Sequence, residues 1–451
     1  MNRTLLLSSA ALCAISISST ALAADLPETI IPETIIPDVS AHNWGGIYLG
    51  VHLGIGGLIT DGTFEASDES TSDAVNNGAL SNMGPLVGAQ VGWNFQNGNA
   101  VFGVEGDISL FDIDKTREDQ SNSTGAEYDN DYLATIRGRV GWADDDTLIY
   151  MTGGVAFMGG TYTHESDSIS VDAVGGVVGM GIEWAATSRT SVKVEGLYLF
   201  FDDSTSLATL PDADSGDFFE FEDAVVARVG VNHQFYGNAG NGNSSSGHSS
   251  DSDYSWAGPY VGGFIGAGAF MTDGVFEGST TSSSSEVDLG ALSDTAFLGG
   301  AQVGWNFQNE NGVVYGIEGD IAWLGWDNSA LNSVQGPGAS FDADYLATIR
   351  GRVGWADGNT LLYVTGGVAF LDGTFRNDDE GDTIDISAVG GVLGTGIEWG
   401  ATQNLSVKVE ALGLFFDDST DLSSIGEPGD NLVIDDAVIA RVGVNYRIPV
   451  R

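Results

Sequence analysis

Charged side chains occupy alternate positions in several short, otherwise apolar segments of this 451-residue chain. Glu105 and Asp107 form one such pair, and Arg137 and Arg139 form another. Two neighbouring carboxylates can serve as general acid and base in a hydrolase, whereas acids mixed with bases neutralise one another inside a protein. Eight residues of this kind lie between positions 105 and 228, namely Glu105, Asp107, Arg137, Arg139, Glu183, Lys193, Glu195 and Arg228, and eight lie between 318 and 441, namely Glu318, Asp320, Arg350, Arg352, Glu398, Lys408, Glu410 and Arg441.

A hydrolase would need a histidine or serine partner in a fixed place beside the carboxylates. No such partner recurs with both sets of charges, and the five histidines are scattered: His42, His52, His164, His233 and His248. Cys13 is the only cysteine and lies in an N-terminal apolar run, which removes thiol catalysis and cysteine-ligated zinc. We therefore expect no catalytic residues and no enzyme activity.

Cofactor and metal motifs are equally weak. His164 could ligate hemin, but it has no counterpart in the second half of the chain. Residues 212–217 read DADSGD, which departs from the D-x-D-x-D-G order of a calcium loop. The glycine cluster at 54–57 lies within a predicted strand and no helix follows it, so it is not a phosphate loop. We expect no cofactor and no metal site, and at most weak divalent cations at acidic loops.

The composition indicates an all-β protein with few anionic partners. The chain has 63 acidic and 15 basic residues, and its net charge of −48 repels nucleic acid and anionic lipid head groups. The 65 glycines are about twice the usual share of roughly 7% and are spread through apolar alternating segments, as in β-structure. Beyond the N-terminus no stretch approaches the roughly 18 apolar residues of a membrane helix.

The first 23 residues have the pattern of a secretory signal peptide. A charged start, Met-Asn-Arg, precedes an apolar run over 4–17 and the small residues Ala21-Leu22-Ala23. This pattern predicts secretion with cleavage near Ala23. The following segment, 24–43, contains PETIIPETIIPD, and its prolines and acids predict a disordered periplasmic lead.

The rest of the chain is a tandem duplication. The segment DYLATIRGRVGWADDDTLIYMTGGVAF, at 131–157, recurs at 344–370 with 23 of 27 positions identical, and the other shared blocks keep an offset of 212 to 215 residues. Between the copies, 236–255 is rich in Gly, Ser and Asn and reads as a flexible linker. The boundaries predict one barrel over 44–235 and a second over 256–448.

Each copy divides into eight segments of alternating polarity, each longer than the 9 to 11 residues of a tilted membrane strand. Tight turns such as 96–99 and 144–146 alternate with long polar loops such as 62–82 and 115–130, which is the arrangement of an outer-membrane barrel. The first copy has its strands at 44–61, 83–97, 100–114, 131–144, 147–163, 170–187, 189–203 and 221–235, and the second at 256–272, 296–309, 312–326, 344–357, 360–374, 384–402, 404–418 and 435–448.

Period-two alternation places the charged residues opposite apolar neighbours such as Ile136 and Val140, and therefore inside each barrel. Four acids and four bases per copy make each lumen neutral, so the remaining 55 acids and 7 bases, outside the lumens, carry the whole net charge. An eight-stranded barrel is only wide enough for side chains to fill. The sixteen residues thus predict two lumen ion networks that act as plugs.

The blocks NWGGIYLG at 43–50, TIRGRVGWA, TGGVAF, GIEW and ARVGVN resemble the small outer-membrane β-barrel proteins of alphaproteobacteria, the surface-antigen and hemin-binding group. The resemblance covers almost the whole mature chain twice. It implies an OmpA-like eight-stranded barrel per copy, outer-membrane lipid around it and a barrel-assembly machinery that reads a terminal aromatic residue. Copy one ends that way at Phe235, while the chain itself ends after Tyr446 with RIPVR, so either residue is a candidate assembly signal.

We therefore predict two tandem eight-stranded antiparallel transmembrane β-barrels in the outer membrane of a Gram-negative cell. Their expected role is structural and surface-displaying, with closed ionic lumens and acidic extracellular loops. The alternatives are a cation-favouring porin-type channel, including one formed by a single sixteen-stranded barrel, and an adhesin or ligand-binding surface receptor.

Overall fold

A computed structural model describes most of the chain beyond the N-terminus. The described residues are 42–64, 75–118, 124–164, 166–211, 213, 216–236, 254–278, 285–330, 338–378, 381–416 and 418–449. The predicted signal peptide, nearly all of the lead segment, most of the linker, His248 and the acids Asp212 and Asp214 lie outside them. Within the described ranges, no helix is long and apolar enough to cross a membrane.

The first barrel is a closed antiparallel sheet of eight long strands. Each strand pairs with the next along the chain, and the last pairs back with the first, from Ile47 opposite Tyr236 to Thr63 opposite Phe218. A two-residue strand and a 3-10 helix (Asn77–Leu80) lie beside its first strand. The strands are β1 (Gly46–Phe64), β2 (Val75–Asn76), β3 (Asn82–Asn97), β4 (Ala100–Glu118), β5 (Thr124–Asp144), β6 (Thr147–His164), β7 (Asp167–Ala185), β8 (Thr190–Ser206) and β9 (Phe218–Tyr236).

The second barrel repeats this order and closes through its own first and last strands. Three short strands and a 3-10 helix (Leu289–Leu292) extend it. Because each sheet closes on itself, the alternative of a single sixteen-stranded barrel is wrong. The strands are β10 (Gly258–Gly278), β11 (Ser285–Asp288), β12 (Asp294–Gln308), β13 (Val313–Leu324), β14 (Asp327–Ala330), β15 (Ala339–Asp357), β16 (Thr360–Asn377), β17 (Thr383–Gly400), β18 (Leu405–Phe415), β19 (Asp418–Asp421) and β20 (Asn431–Arg447).

The turns between β3 and β4, between β5 and β6 and between β7 and β8, with their counterparts in the second barrel, lie at one end of each barrel, which we call the turn end; the opposite end is the loop end. The loop end also has a short connection, since β6 ends at His164 and β7 begins at Asp167. Two-residue turns need a left-handed backbone, which glycine adopts without strain. Gly98 has a φ of 61° in the turn between β3 and β4. In the turn between β5 and β6, Asp145 adopts a φ of 48°, and its counterpart in the second barrel is Gly358, at 57°.

Apolar side chains project outward along the strands, as expected for a surface that faces lipid. Leu53 and Ile136, for example, are about two-thirds exposed. Large aromatic side chains are exposed near the turn end, where a membrane barrel has its interfacial girdle. They are Trp93, Phe95, Phe102 and Trp142 in the first barrel, and Trp305, Phe307, Tyr315 and Trp355 at the same positions of the second.

The strands continue further toward the loop end than the sequence pattern predicts. The predicted loop 115–130 is mostly paired strand, since β4 runs to Glu118 and β5 begins at Thr124. Register shifts interrupt the pairing between Leu110 and Ile113, and comparable shifts occur in β1 and β8. Because a bulge adds one residue, it reverses which face each later residue occupies. The alternation therefore breaks at the bulges although the strands do not end there.

Candidate functional site

The structure places all sixteen charged residues singled out in the sequence inside the two barrels. None of these residues is more than 8% exposed. The two members of each pair share a face because one residue separates them. Arg137 on β5 lies directly across from Glu105 on the neighbouring β4, and Arg139 lies across from Gly103. The charges thus form one connected group in the middle of each lumen.

Arg137 lies at the centre of the first network. Its Nη2 donates to Asp107 Oδ2 at 3.0 Å and also to a carboxylate oxygen of Glu105, while Nη1 donates to Glu195 Oε1 at 3.2 Å. The Nε atom donates to the hydroxyl of Thr135, which donates in turn to Asp107 at 2.6 Å. One guanidinium therefore contacts three carboxylates from two strands, which compensates for the removal of all four groups from water.

Arg228 and Lys193 close the group from the opposite side of the barrel. Arg228 Nη1 lies 3.0 Å from Asp107 Oδ1, and its Nη2 lies 2.6 Å from Glu195 Oε2. Lys193 Nζ lies 3.0 Å from Glu105 Oε1 and 3.6 Å from Glu195 Oε2. These contacts connect β4 and β8 across the lumen, so the network joins strands that are not neighbours in the sheet.

The fourth base, Arg139, extends the group toward the turn end, with its Nη1 3.8 Å from Glu105 Oε2. It donates to Glu183 Oε2 at 3.1 Å, and its guanidinium lies between two tyrosine rings, 5.1 Å from the centroid of Tyr48 and 4.8 Å from that of Tyr150. The two tyrosine hydroxyls donate to the carboxylates of the central group, at 2.7 Å for Tyr48 to Glu105. The sequence reasoning missed both tyrosines, although alternation in β1 places Tyr48 opposite the outward Leu49.

The second barrel has the same network with nearly the same geometry. Arg350 Nη2 lies 2.9 Å from Asp320 Oδ2, Arg441 Nη2 lies 2.6 Å from Glu410 Oε2, and Lys408 Nζ lies 2.9 Å from Glu318 Oε1. The remaining pair, Arg352 and Glu398, is at 2.9 Å between Nη1 and Oε2. The agreement shows that the spacing of the charges, rather than the sequence of the loops, determines the arrangement.

Apolar side chains fill the lumen on both sides of the charges, and the sequence reasoning missed this. Toward the loop end, rings such as Phe111, Tyr128 and Phe219 are at most 1% exposed, and Tyr128 stacks on Phe219 with centroids 4.9 Å apart. Toward the turn end, Trp44 and Leu148 belong to a smaller buried cluster. Most of the loop-end residues continue the inward alternation of their strands, while Tyr128 and Phe219 lie beyond a change of phase in β5 and β9.

One polar contact in the first lumen resembles part of a catalytic triad. His52 Nε2 lies 2.8 Å from Ser109 Oγ, and His52 Nδ1 lies 2.7 Å from Gln90 Oε1. However, Ser109 is 1% exposed, and even a Cβ added at Gly88 would lie 2.5 Å from the His52 ring. The packing leaves no room for a substrate, so these side chains satisfy one another inside the core.

The two copies differ at this point. Phe264 occupies the position of His52 in the second barrel, and the Arg441 guanidinium lies 4.3 Å from the centroid of its ring. Within the described part of the chain, no three His, Cys, Asp or Glu side chains are grouped as a metal site.

The two candidate assembly residues lie close to, but not at, equivalent positions, since the counterpart of Phe235 is Ile448 and that of Tyr446 is His233. Phe235 and Tyr446 are half exposed on the outer surface near the turn end, each in the last long strand of its barrel. Both side chains therefore extend the aromatic girdle.

The sequence is similar to those of known outer-membrane proteins. The family model described as outer membrane protein beta-barrel domain matches residues 9–232. The 31 kDa outer-membrane immunogenic protein of Brucella melitensis is 30% identical over 213 residues, which are 43% of this chain and 84% of that protein. The 22 kDa outer membrane protein of Rhizobium leguminosarum is 29% identical over 33% of this chain and 66% of its own length. Among solved structures, Ail of Yersinia pestis matches 42% of this chain and 99% of its own at 10% identity, with a TM-score of 0.24.

Proposed function

The chain belongs to the outer-membrane β-barrel family and resides in the outer membrane, and we propose that its role there is structural and surface-displaying, without conduction through either lumen. The observation that carries this proposal is the filling of the lumens. A solute would have to displace an apolar layer at the loop end, the paired charges in the middle and the smaller buried cluster at the turn end.

The central charges make such displacement costly. A water-filled pathway would separate Arg137 and Arg228 from carboxylates that lie about 3 Å away on different strands. Lys193 has no exposed surface at all. A cation-favouring channel is therefore the weaker hypothesis, because an acidic entrance attracts cations but these plugs offer them no continuous path.

Surface display is supported by where the charge lies. With eight acids and eight bases paired in the lumens, the other 55 acids and 7 bases lie outside the networks, and acids such as Asp202 and Asp421 are exposed at the loop end. The relatives are named as immunogenic outer-membrane proteins, which accords with loops exposed on the cell surface. We propose the same orientation here, with the loop end outside and the turn end in the periplasm.

Two partners follow from this proposal. The exposed apolar side chains contact outer-membrane lipid, and the barrel-assembly machinery recognises Tyr446 in the last strand of the chain, or Phe235 at the end of the first copy. Divalent cations would associate weakly with the acidic loops.

The orientation can be tested by inserting a short epitope tag at either end of the first barrel. A tag between Ala208 and Thr209, both exposed at the loop end, is expected to bind antibody on intact cells. A matched tag after Gly98, in a turn, should bind only after the outer membrane is permeabilised. Antibody binding to the turn tag on intact cells, with the loop tag inaccessible, would contradict surface display of the loops.

A further inference from the structure

The two barrels contact each other along one face of each sheet. In the first barrel this face consists of β1, β7, β8 and β9, and in the second of their counterparts β10, β17, β18 and β20. We call these surfaces the shared faces. The contacts are reciprocal: β8 lies against β18, β9 against β20 and β1 against β10, while β1 meets β20 and β9 meets β10. A surface that meets its own counterpart is typical of a twofold, isologous association.

Individual residues also meet their own counterparts. Thr147 and Thr360 are equivalent residues at the starts of β6 and β16, beside the shared faces, and their hydroxyl oxygens are 2.6 Å from each other. Gly57 and Ala269 are likewise equivalent, and a Cβ added at Gly57 would lie 2.7 Å from the Ala269 Cβ. Two such self-contacts, one at the turn end and one toward the loop end, place a pseudo-twofold axis between the barrels and parallel to them.

The contact between the shared faces is apolar and close. Small residues allow the strands to approach: a Cβ added at Gly196 would lie 2.5 Å from the Ala440 Cβ, and one at Gly413 would lie 2.8 Å from Ile55 Cδ1. In lipid, association depends on such close packing, because apolar surfaces gain little merely by leaving the hydrocarbon. The buried residues of this cluster are Ile59, Ile182, Val194, Val225, Ala227, Ala267, Ala269, Met271, Ile397, Val409, Ala411 and Val438.

Polar contacts near the loop end join the first barrel specifically to the second. Thr295 Oγ1 donates to Asp223 Oδ2 at 3.1 Å and lies 3.3 Å from the Tyr198 hydroxyl. The counterparts of Tyr198 and Thr295 are Gly413 and Met83, so this contact cannot form a second time across the axis. The shared face of the first barrel therefore fits that of the second barrel better than it would fit a second copy of itself.

An ion pair adds to this difference between the copies. Lys115 Nζ lies 3.3 Å from Asp273 Oδ2 of the second barrel. The equivalent positions hold Asn328 and Asp61, which cannot form an ion pair. Exposed pairs contribute at most about 1 kcal/mol each, so this contact directs pairing more than it strengthens it.

We propose that each barrel's lateral partner in the membrane is the other copy of the same chain, held through the shared faces as a pseudo-twofold pair rather than as two barrels joined only by the linker. The linker then raises the local concentration of the partners but is not what keeps them together. This proposal does not depend on the lumens being closed. A protein that conducted while its barrels stayed paired would refute the proposed function and leave the pairing intact.

A full-length variant with a protease site inserted within 237–253 distinguishes barrels held together by their shared faces from barrels joined only by the linker. The linker is cut after assembly in the outer membrane, and the two fragments are extracted in a mild detergent with an affinity tag on the first. We expect the second fragment to co-purify in equal amount. If cutting alone releases it, the linker was the only connection and the proposal fails.

Substituting Gly196 by leucine provides the interface variant. We expect at least a tenfold loss of co-purification, because the added side chain collides with Ala440. The matched control is Gly138→Leu, at an outward-facing glycine away from the shared face, where the nearest atom to an added Cβ is 3.9 Å away. Both variants must migrate as folded barrels when the samples are loaded on a gel without heating. Unchanged co-purification of a folded Gly196→Leu protein would overturn the proposal.

A cysteine pair provides a second readout if Gly196→Leu fails to fold. In the full chain, Thr147→Cys with Thr360→Cys should form a disulfide within one molecule upon mild oxidation in the membrane. The matched control uses Ile136→Cys with Ile349→Cys, an equivalent pair whose side chains are 65% and 61% exposed on the lipid-facing surface. Absence of an intramolecular disulfide in the first pair, or equal yields in both, would contradict the shared-face contact.

Discussion

Replacement of Arg137 by methionine is expected to lower the free energy of unfolding of the first barrel by about 3–5 kcal/mol. The substitution removes one cation from contact with Glu105, Asp107 and Glu195, none of which has more than 7% of its surface exposed. A buried carboxylate without its partner keeps its desolvation penalty and loses the compensating attraction. The change is measured by titrating the protein with urea in lipid vesicles. The folded fraction at each urea concentration is read from the mobility of unheated samples in gels.

Two control variants test whether the loss of stability comes from the buried ion pairs. Arg189→Met removes an arginine that is exposed in a turn, and we expect a change within about 0.5 kcal/mol. Arg350→Met should destabilise the second barrel as strongly as Arg137→Met destabilises the first, since the networks have the same geometry. An Arg137→Met protein as stable as the Arg189→Met control would show that the buried pairs are not needed.

Substitution of Gly154 by valine is expected to prevent folding of the first barrel. A Cβ at this position would lie 2.0 Å from the carbonyl oxygen of Ile136 and 2.8 Å from the Cα of Arg137. Both atoms belong to the backbone of the neighbouring strand, so neither can move aside without breaking the sheet. A glycine of this kind marks a close backbone approach where the sheet bends. We expect little or no heat-resistant, folded protein in the outer membrane.

The adjacent glycine provides a matched control. A Cβ at Gly153 would have its nearest neighbour, the carbonyl oxygen of Val177, at 3.4 Å, which is ordinary contact. Gly153→Val should therefore fold, because valine is favoured in strands and suits a surface that faces lipid. Equal folded yields for Gly153→Val and Gly154→Val would contradict the crowding seen at Gly154.

Much of the architecture could be predicted from local pattern. The repeat, the alternation of apolar and charged residues and the contrast of short turns with long loops together predict eight antiparallel strands per copy and an outer-membrane barrel, and this fold is confirmed. The spacing of pairs such as Arg137 and Arg139 predicts that both side chains lie on the same face of the sheet, because residues two apart on a strand share a face. The charges could be assigned to the interior because the intervening residues are apolar.

The parts that could not be predicted depend on long-range geometry. The bulge between Asn130 and Tyr132 changes the phase of β5, so Tyr128 faces inward although the alternation from Arg137 predicts that it faces outward. A similar change of phase in β9 turns Phe219 inward, and this part of the aromatic layer at the loop end was missed for that reason. Contacts such as Arg228 with Asp107 join strands far apart in sequence, and no local pattern reveals which acid meets which base.

Pairing of the barrels was also beyond the sequence pattern. Apolar residues of the shared faces, such as Val194 and Val409, have the same alternation as residues that face lipid, and their burial is apparent only in the structure. Glycine gives a partial signal, because Gly196 interrupts an outward row of larger side chains. The signal is ambiguous, since Gly138 interrupts a similar row at a position away from the shared face.

The central claim is that both lumens are closed by paired charges and apolar layers. Ion conductance across planar lipid bilayers is its most direct test. Purified full-length protein is inserted after its folded mobility has been checked in an unheated gel. We expect a baseline without stable current steps, in high salt and at either polarity. Large, stable conductance steps that scale with the amount of folded protein inserted would contradict the closed lumens and favour a channel.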